Sequence, residues 1–203
     1  CECGIMSALH GLVLAGGHSS RMREDKAALT YRRRPQLTLA FEMLAPFVSR
    51  AFVSVREDQR ADPLRAAFPQ IVDGPGAEGP IAGIIAAQAA HPEAAWLVVA
   101  CDLPLLDSTT LSALLAGRDS SRLATAFRSA GDGLPEPLCA IYEPASREAI
   151  LSFVASGISC PRKFLIRHDV ALLPPASPLA LANANTPEEL AAFRQALAAE
   201  ESA

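Results

Sequence analysis

Residues 11–26 read Gly11-Leu12-Val13-Leu14-Ala15-Gly16-Gly17-His18-Ser19-Ser20-Arg21-Met22-Arg23-Glu24-Asp25-Lys26. The apolar run Leu12-Val13-Leu14-Ala15 has the length of a strand, lacks polar alternation and stops at a glycine pair. A strand apolar on both faces is one that helices cover on both sides, as in a parallel α/β sheet. Beyond it, Gly16 and Gly17 let backbone approach a ligand with no Cβ in the way. Ser19 and Ser20 offer hydroxyls, Arg21 a planar fork and Lys26 a mobile point charge. The chain has two lysines, Lys26 and Lys163, against sixteen arginines, so a lysine at the end of this stretch stands out. The reading is a buried strand feeding a loop able to hold phosphates. The stretch matches neither Gly-x-x-x-x-Gly-Lys-Ser/Thr nor Gly-x-Gly-x-x-Gly, and alone it fits equally an ordinary turn with solvated cations.

The same alternation runs on along the chain. Strand-length apolar runs at 11–15, 51–55, 96–100, 123–127 and 138–142 are interleaved with helical patterns at 36–45, 59–68, 79–90, 108–116, 144–155, 161–167 and 187–199. Thr186-Pro187-Glu188-Glu189 is a helix start, with an N-cap hydroxyl, proline at the first position and acids in the first turn. This order predicts an α/β fold with a mostly parallel sheet. Ligands of such sheets bind beyond the carboxyl ends of the strands, so the Gly16-Gly17 stretch and Asp102 share one edge.

At 203 residues and 21.4 kDa, one domain is expected. Residues 1–9 read as a flexible N-terminal extension and 10–203 as the domain. A net charge of −4 argues against a general nucleic-acid binder. No apolar run approaches the ~20 residues of a membrane helix, and residues 1–6 lack the pattern of a signal peptide. An opening at Cys1 reads as a fragment, a fusion partner or a misplaced start with Met6 as the true one. The five cysteines, with no Cys-x-x-Cys pair, predict a reducing cytoplasm and no disulfide framework.

Three further constellations carry chemistry. Asp102, after the run Trp96–Ala100, is a candidate Mg²⁺ ligand, since that ion takes one or two carboxylates plus substrate phosphate oxygens. A turn or capping role fits it equally. Asp73, in Ile71-Val72-Asp73-Gly74, can accept hydrogen bonds from a base edge or simply make a turn. Gly79 and Gly83 let the next helix start close to a ligand or a strand. Asn183 and Asn185 fall on one face of an extended segment, where they meet a metal or phosphate or cap a helix. Asp107 reads as the cap of the next helix. No histidine spacing implies zinc or a triad, and His10, His91 and His168 read as surface or flanking residues. No nucleophile is evident, which fits direct group transfer governed by positioning and charge neutralisation.

Taken in order, five blocks resemble the MobA family of molybdenum cofactor guanylyltransferases, within the wider MobA-like nucleotidyltransferases. They are Leu14-Ala15-Gly16-Gly17-x-Ser-Ser-Arg-Met-x-x-Asp-Lys, Gly79-Pro80-Ile81-Ala82-Gly83, Ala100-Cys101-Asp102-Leu103-Pro104, Pro137–Tyr142 and Asn183-x-Asn185-Thr186-Pro187-Glu188-Glu189-Leu190. The resemblance spans roughly residues 10–198. It implies a Rossmann-like three-layer sandwich and transfer of GMP from GTP to Mo-molybdopterin, with pyrophosphate released. By carry-over, Leu14, Ala15, Gly16 and Gly17 touch the nucleotide and Lys26 its phosphates. Asp73 faces the guanine and Asp102 binds Mg²⁺. Arg21, Lys26 and Asp102 form the catalytic set. Arg162 and Lys163 lie on the pterin side, and Asn183 and Asn185 line the catalytic edge. Implied partners are GTP, Mo-molybdopterin, other proteins of molybdenum cofactor biosynthesis and apo-molybdoenzymes, with no nucleic acid and no membrane. The chain departs from the family where Val55-Arg56-Glu57-Asp58 replaces an expected Asn and where Arg23 replaces Gly. Rival readings are a cytidylyltransferase on the same cofactor, a sugar- or polyol-phosphate nucleotidyltransferase, and a non-catalytic nucleotide-binding carrier of the cofactor.

Overall fold

The computed structural model describes residues 7–15, 27, 30, 31, 34–174 and 180–182. In chain order its strands are β1 (Leu9–Leu14), β2 (Thr30–Tyr31), β3 (Arg34–Pro35), β4 (Arg50–Val55), β5 (Gln70–Val72), β6 (Ala95–Ala100), β7 (Ala124–Arg128), β8 (Pro135–Tyr142) and β9 (Ala171–Leu173). Its α-helices are α1 (Gln36–Leu44), α2 (Pro80–Ala90), α3 (Ser108–Ala116), α4 (Ser146–Ala155) and α5 (Pro161–Arg167). Seven strands form one sheet in the order β5-β4-β1-β6-β8-β7-β9, while β2 and β3 make a small antiparallel ribbon. The pairs β4–β5, β1–β4, β1–β6 and β7–β9 are parallel, and β8 runs antiparallel to both its neighbours. The expected mostly parallel α/β sheet is therefore present.

Alternation along the central strands divides the core into two layers. Val13, Val53, Leu97 and Val99 pack with Leu37 and Leu44 of α1 and with Leu111 and Leu114 of α3. Leu12, Phe52, Trp96 and Val98 pack with Ile81 and Ile84 of α2, Ile150 of α4, and Phe164 and Leu165 of α5. Both faces of β1 and β6 are covered, which is why their sequences read as unbroken apolar runs.

Local chemistry sets the helix ends. Asp107 caps α3, its carboxylate accepting the Thr110 N–H at 2.7 Å, as expected. Gly79 precedes Pro80 of α2 at φ 71°, a backbone that side chains with a Cβ rarely adopt.

Four expectations are corrected. The predicted helix over 59–68 is absent; two short 3₁₀ turns, Glu57–Gln59 and Arg65–Ala67, stand there. Pro63 lacks the N–H an α-helix needs and its ring clashes with the preceding turn. Strands β2, β3, β5 and β9 were not anticipated, because two or three residues are too few to show a period. Residues 7–9 are tied into the domain rather than loose: Leu9 pairs with Ala95, the Ala8 carbonyl accepts the Ala95 N–H, and the Arg118 guanidinium donates to the Ser7 hydroxyl at 2.8 Å. His10 is buried against Trp96, Phe52 and His91, and burial lowers its pKa. Cys101 and Cys139 are buried free thiols, and desolvation pushes Cys139 up to about 12.

Candidate active site

Leu14 pairs with Ser54 on one side and with Ala100 on the other, and Ser54 pairs with Ile71. These residues form one row across β5, β4, β1 and β6. Counting on from the row, Ala15 is one residue past Leu14, while Asp73 and Asp102 are each two residues past Ile71 and Ala100. The two carboxylates thus leave the sheet at one level and one edge, with the exit of β1 between them. Three strand spacings of roughly 4.8 Å separate β5 from β6, or about 14 Å. The ends of β1 and β6, and with them Ala15 and Asp102, come to one edge of the sheet.

The Asp73 side of this edge is held tightly. The Ser54 hydroxyl, nearly fully buried, donates to Asp73 Oδ1 at 2.6 Å. The Asp73 N–H donates to the Val55 carbonyl at 2.8 Å. Partial burial raises the Asp73 pKa above the usual carboxylate value, and the Ser54 hydrogen bond and the Arg56 charge oppose that rise. Arg56 also grips Asp58, through Nε to Oδ1 at 3.0 Å and Nη2 to Oδ2 at 2.9 Å. Behind Ser54 lies Gly83 of α2. A Cβ there would overlap the Ser54 hydroxyl and sit 2.9 Å from Leu14 Cδ2. Glycine at 83 is therefore a condition for α2 to lie against this edge.

Ala15 is 3% exposed, and both its N–H and its carbonyl are hydrogen-bonded. Its N–H donates to the Ser54 carbonyl at 3.2 Å. Its carbonyl accepts from Arg65 Nε at 3.3 Å and Nη2 at 3.0 Å.

Asp102, partly exposed, follows β6, and the Cys101 N–H donates to the Leu14 carbonyl at 3.2 Å, tying this turn to β1. Among the described residues no group of three or more His, Cys, Asp or Glu side chains could hold a metal ion. A single carboxylate at a sheet edge nevertheless suits Mg²⁺, which keeps several waters and takes the rest of its shell from substrate phosphates.

The antiparallel strand β8 brings a second cluster to the same edge. Val99 pairs with Cys139, so the start of β8 projects to the side where Asp102 lies. Glu136 sits there, and Arg162 of α5 donates to Glu136 Oε2 at 3.0 Å and to Asp132 Oδ2 at 3.3 Å. Arg162 thus already faces two carboxylates, while Lys163 beside it is exposed.

Of the expected site residues, Leu14, Ala15, Asp73 and Asp102 come to one edge, and Arg162 and Lys163 stand on the β8 flank. Gly16, Gly17, Arg21, Lys26, Asn183 and Asn185 lie outside the described residues. Sequence reading missed Ser54 and Arg65. Ser54 sits inside an apolar strand pattern, and a buried serine level with the end of β1 is a signal only once the register is known. Arg65 lies in a polar stretch rich in arginine and carries no local signal.

A family model described as MobA-like NTP transferase domain matches residues 11–172. A molybdenum cofactor biosynthesis bifunctional protein of Synechocystis is 36% identical over 182 residues, which are 89% of this chain and 52% of that protein. The chain thus spans about half the length of that relative. A probable molybdenum cofactor guanylyltransferase of Trichormus variabilis is 33% identical, over 93% of this chain and 92% of its own length. Among solved structures, molybdopterin-guanine dinucleotide biosynthesis protein A of Archaeoglobus fulgidus superposes with a TM-score of 0.79 at 23% identity. That match covers 93% of this chain and 98% of the other and shows a shared fold. Among the described residues, no helix is long and apolar enough to cross a membrane.

Proposed function

The chain belongs to the MobA-like NTP transferase family, and on that premise we propose that it transfers GMP from GTP to the terminal phosphate of Mo-molybdopterin. One observation carries this reading: Asp73 and Asp102 leave the sheet two residues past the same row, with Ala15 between them. A nucleotide lying across β4 and β1 has its base at one carboxylate and its phosphates near the other.

At the base end, the Asp73 carboxylate is an acceptor for the adjacent N–H groups of guanine, and Ser54 holds its other face. At the phosphate end, Asp102 would hold Mg²⁺, whose charge offsets that of the α-phosphate and the incoming phosphate. A phosphate oxygen of the pterin attacks the α-phosphorus in line. The bond from the α-phosphorus to the bridging oxygen breaks, and pyrophosphate leaves with the electron pair. Arg21 and Lys26 neutralise that leaving group, Gly16 and Gly17 give it backbone contact, and Asn183 and Asn185 line the catalytic edge. Lys163, with Arg162 fixed beside it, faces the pterin side. Such a reaction, fed by soluble substrates, belongs in the cytoplasm, where other proteins of the cofactor's biosynthesis and apo-molybdoenzymes supply and take the product.

The test is incubation with GTP, CTP, ATP or UTP, Mg²⁺ and molybdenum-loaded molybdopterin, with mass analysis of the product. Expected is the guanine dinucleotide cofactor and one pyrophosphate per turnover from GTP. A cytosine dinucleotide formed faster than the guanine one would make the chain a cytidylyltransferase. Nucleotide binding with no pyrophosphate released from any triphosphate would make it a carrier.

A further inference from the structure

We infer that Arg65 is a positioning residue for the nucleotide, acting through the Ala15 carbonyl; the inference rests on the nucleotidyltransferase reading of this edge. Arg65 is 1% exposed, among the largest fully buried side chains of the described residues. Burying a guanidinium is costly unless its donors are met. Here two of them, Nε and Nη2, converge on one backbone oxygen fifty residues away in sequence. A third, Nη1, donates to Asp62 Oδ1 at 3.2 Å. The same Asp62 oxygen accepts the Arg65 backbone N–H at 3.0 Å, which locks the turn that presents the side chain.

The place of that oxygen is what gives the contact its role. Ala15 directly follows β1 and is the last described residue before Gly16-Gly17. Its N–H is committed to Ser54 and its carbonyl to Arg65. The peptide unit is planar, so gripping one oxygen from two donors fixes the plane in which the strand hands the chain on. Backbone amides that follow a strand are what phosphate loops present to their ligand. A charged fork holding that carbonyl fixes how the chain leaves the end of β1, without touching the nucleotide. Lysine cannot do this, because it offers a point charge in place of two parallel donors. The absence of an α-helix over 59–68 is part of the device: the turn broken at Pro63 brings Arg65 under β1.

The experiment compares wild type, Arg65→Lys and Asp62→Asn, each checked for folding by circular dichroism. It reads GTP binding by calorimetry and the separate KM values for GTP and for Mo-molybdopterin. Arg65→Lys is expected to weaken GTP binding and raise the GTP KM about tenfold, the scale of one hydrogen bond to a charged donor, with the pterin KM unchanged. Asp62→Asn leaves Arg65 in place and is expected to move the GTP KM the same way by less. A purely structural role would lower the melting temperature and leave both KM values as they are, which overturns the inference. If Arg65→Lys does not fold, Asp62→Asn decides, and a wild-type GTP KM in that variant overturns the inference as well. Wild-type protein that binds no GTP overturns the nucleotidyltransferase reading itself, and this inference with it. Wild-type protein that binds GTP beside an Arg65→Lys variant that binds it equally well overturns only the role of Arg65.

Discussion

The Ser54 hydroxyl donates to Asp73 Oδ1 across 2.6 Å, joining the end of β4 to the residue that follows β5. The bond favours the ionised carboxylate against the burial that disfavours it. Ser54→Ala is therefore expected to raise the Asp73 pKa further and to raise the GTP KM about tenfold at neutral pH. The sign follows from the chemistry. A carboxylate that accepts from guanine must be ionised, so GTP affinity falls as pH falls through the raised pKa. In Ser54→Ala that fall begins at higher pH. GTP KM measured across pH checks it, and a Ser54→Ala profile superimposable on wild type would show that Asp73 does not read the base.

Gly83→Ala tests the packing behind that pair. The new Cβ would overlap the Ser54 hydroxyl and press on Leu14. Alanine normally favours a helix over glycine by about 1 kcal/mol, but overpacking here costs about 1–3 kcal/mol. The expected outcome is net destabilisation in urea together with a raised GTP KM. Adding Ser54→Gly removes the overlap with the hydroxyl and leaves only the Leu14 contact, so the double variant should recover part of the stability and leave the GTP KM raised. A stabilised Gly83→Ala with wild-type kinetics contradicts the close approach.

Asp102→Asn and Lys26→Ala address the phosphate end. On the proposed mechanism Asp102→Asn weakens the hold on Mg²⁺ and Lys26→Ala removes a charge contact to the triphosphate, and losses of this kind commonly lower turnover by ~10²–10³. Both variants are expected to fold with wild-type melting curves. Pyrophosphate release with GTP and Mo-molybdopterin is the readout. A Lys26→Ala enzyme as fast as wild type removes that lysine from the mechanism.

Far from the site, Arg118 and Glu143 form a buried pair, with Nε to Oε1 at 2.6 Å and Nη2 to Oε2 at 2.8 Å. Their side chains are 6% and 2% exposed. Removing one partner strands the other charge, so Glu143→Gln or Arg118→Met is expected to cost about 3–5 kcal/mol in denaturant unfolding. Below the unfolding transition, the GTP KM should stay at the wild-type value, which separates this pair from Arg65. A cost below 1 kcal/mol would mean that the pair is not buried in solution.

Much of this was written locally in the chain. The run Leu12-Val13-Leu14-Ala15 and the run from Trp96 to Ala100 are apolar on both faces because both faces are covered, so the α/β class follows from composition over a few residues. Asp107 as a cap and Pro80 and Pro161 at helix starts are equally local, since each concerns the backbone of its own turn. The glycine pair and Asp102 after their strands place the edge, because an α/β sheet binds ligands there.

Tertiary structure alone decided which residues meet at that edge. The register Leu14–Ser54–Ile71 and Leu14–Ala100 is a property of four strands together, and it puts Ser54 under Asp73 and levels Asp73 with Asp102. The reversed direction of β8, which carries Glu136 toward Arg162, leaves no trace in a short apolar run. Arg65 shows the limit most sharply. Nothing in the residues beside it marks it for burial, and its partner is a carbonyl fifty residues earlier. Long-range burial is set by how the sheet and the broken turn pack, and no local pattern of side chains encodes it.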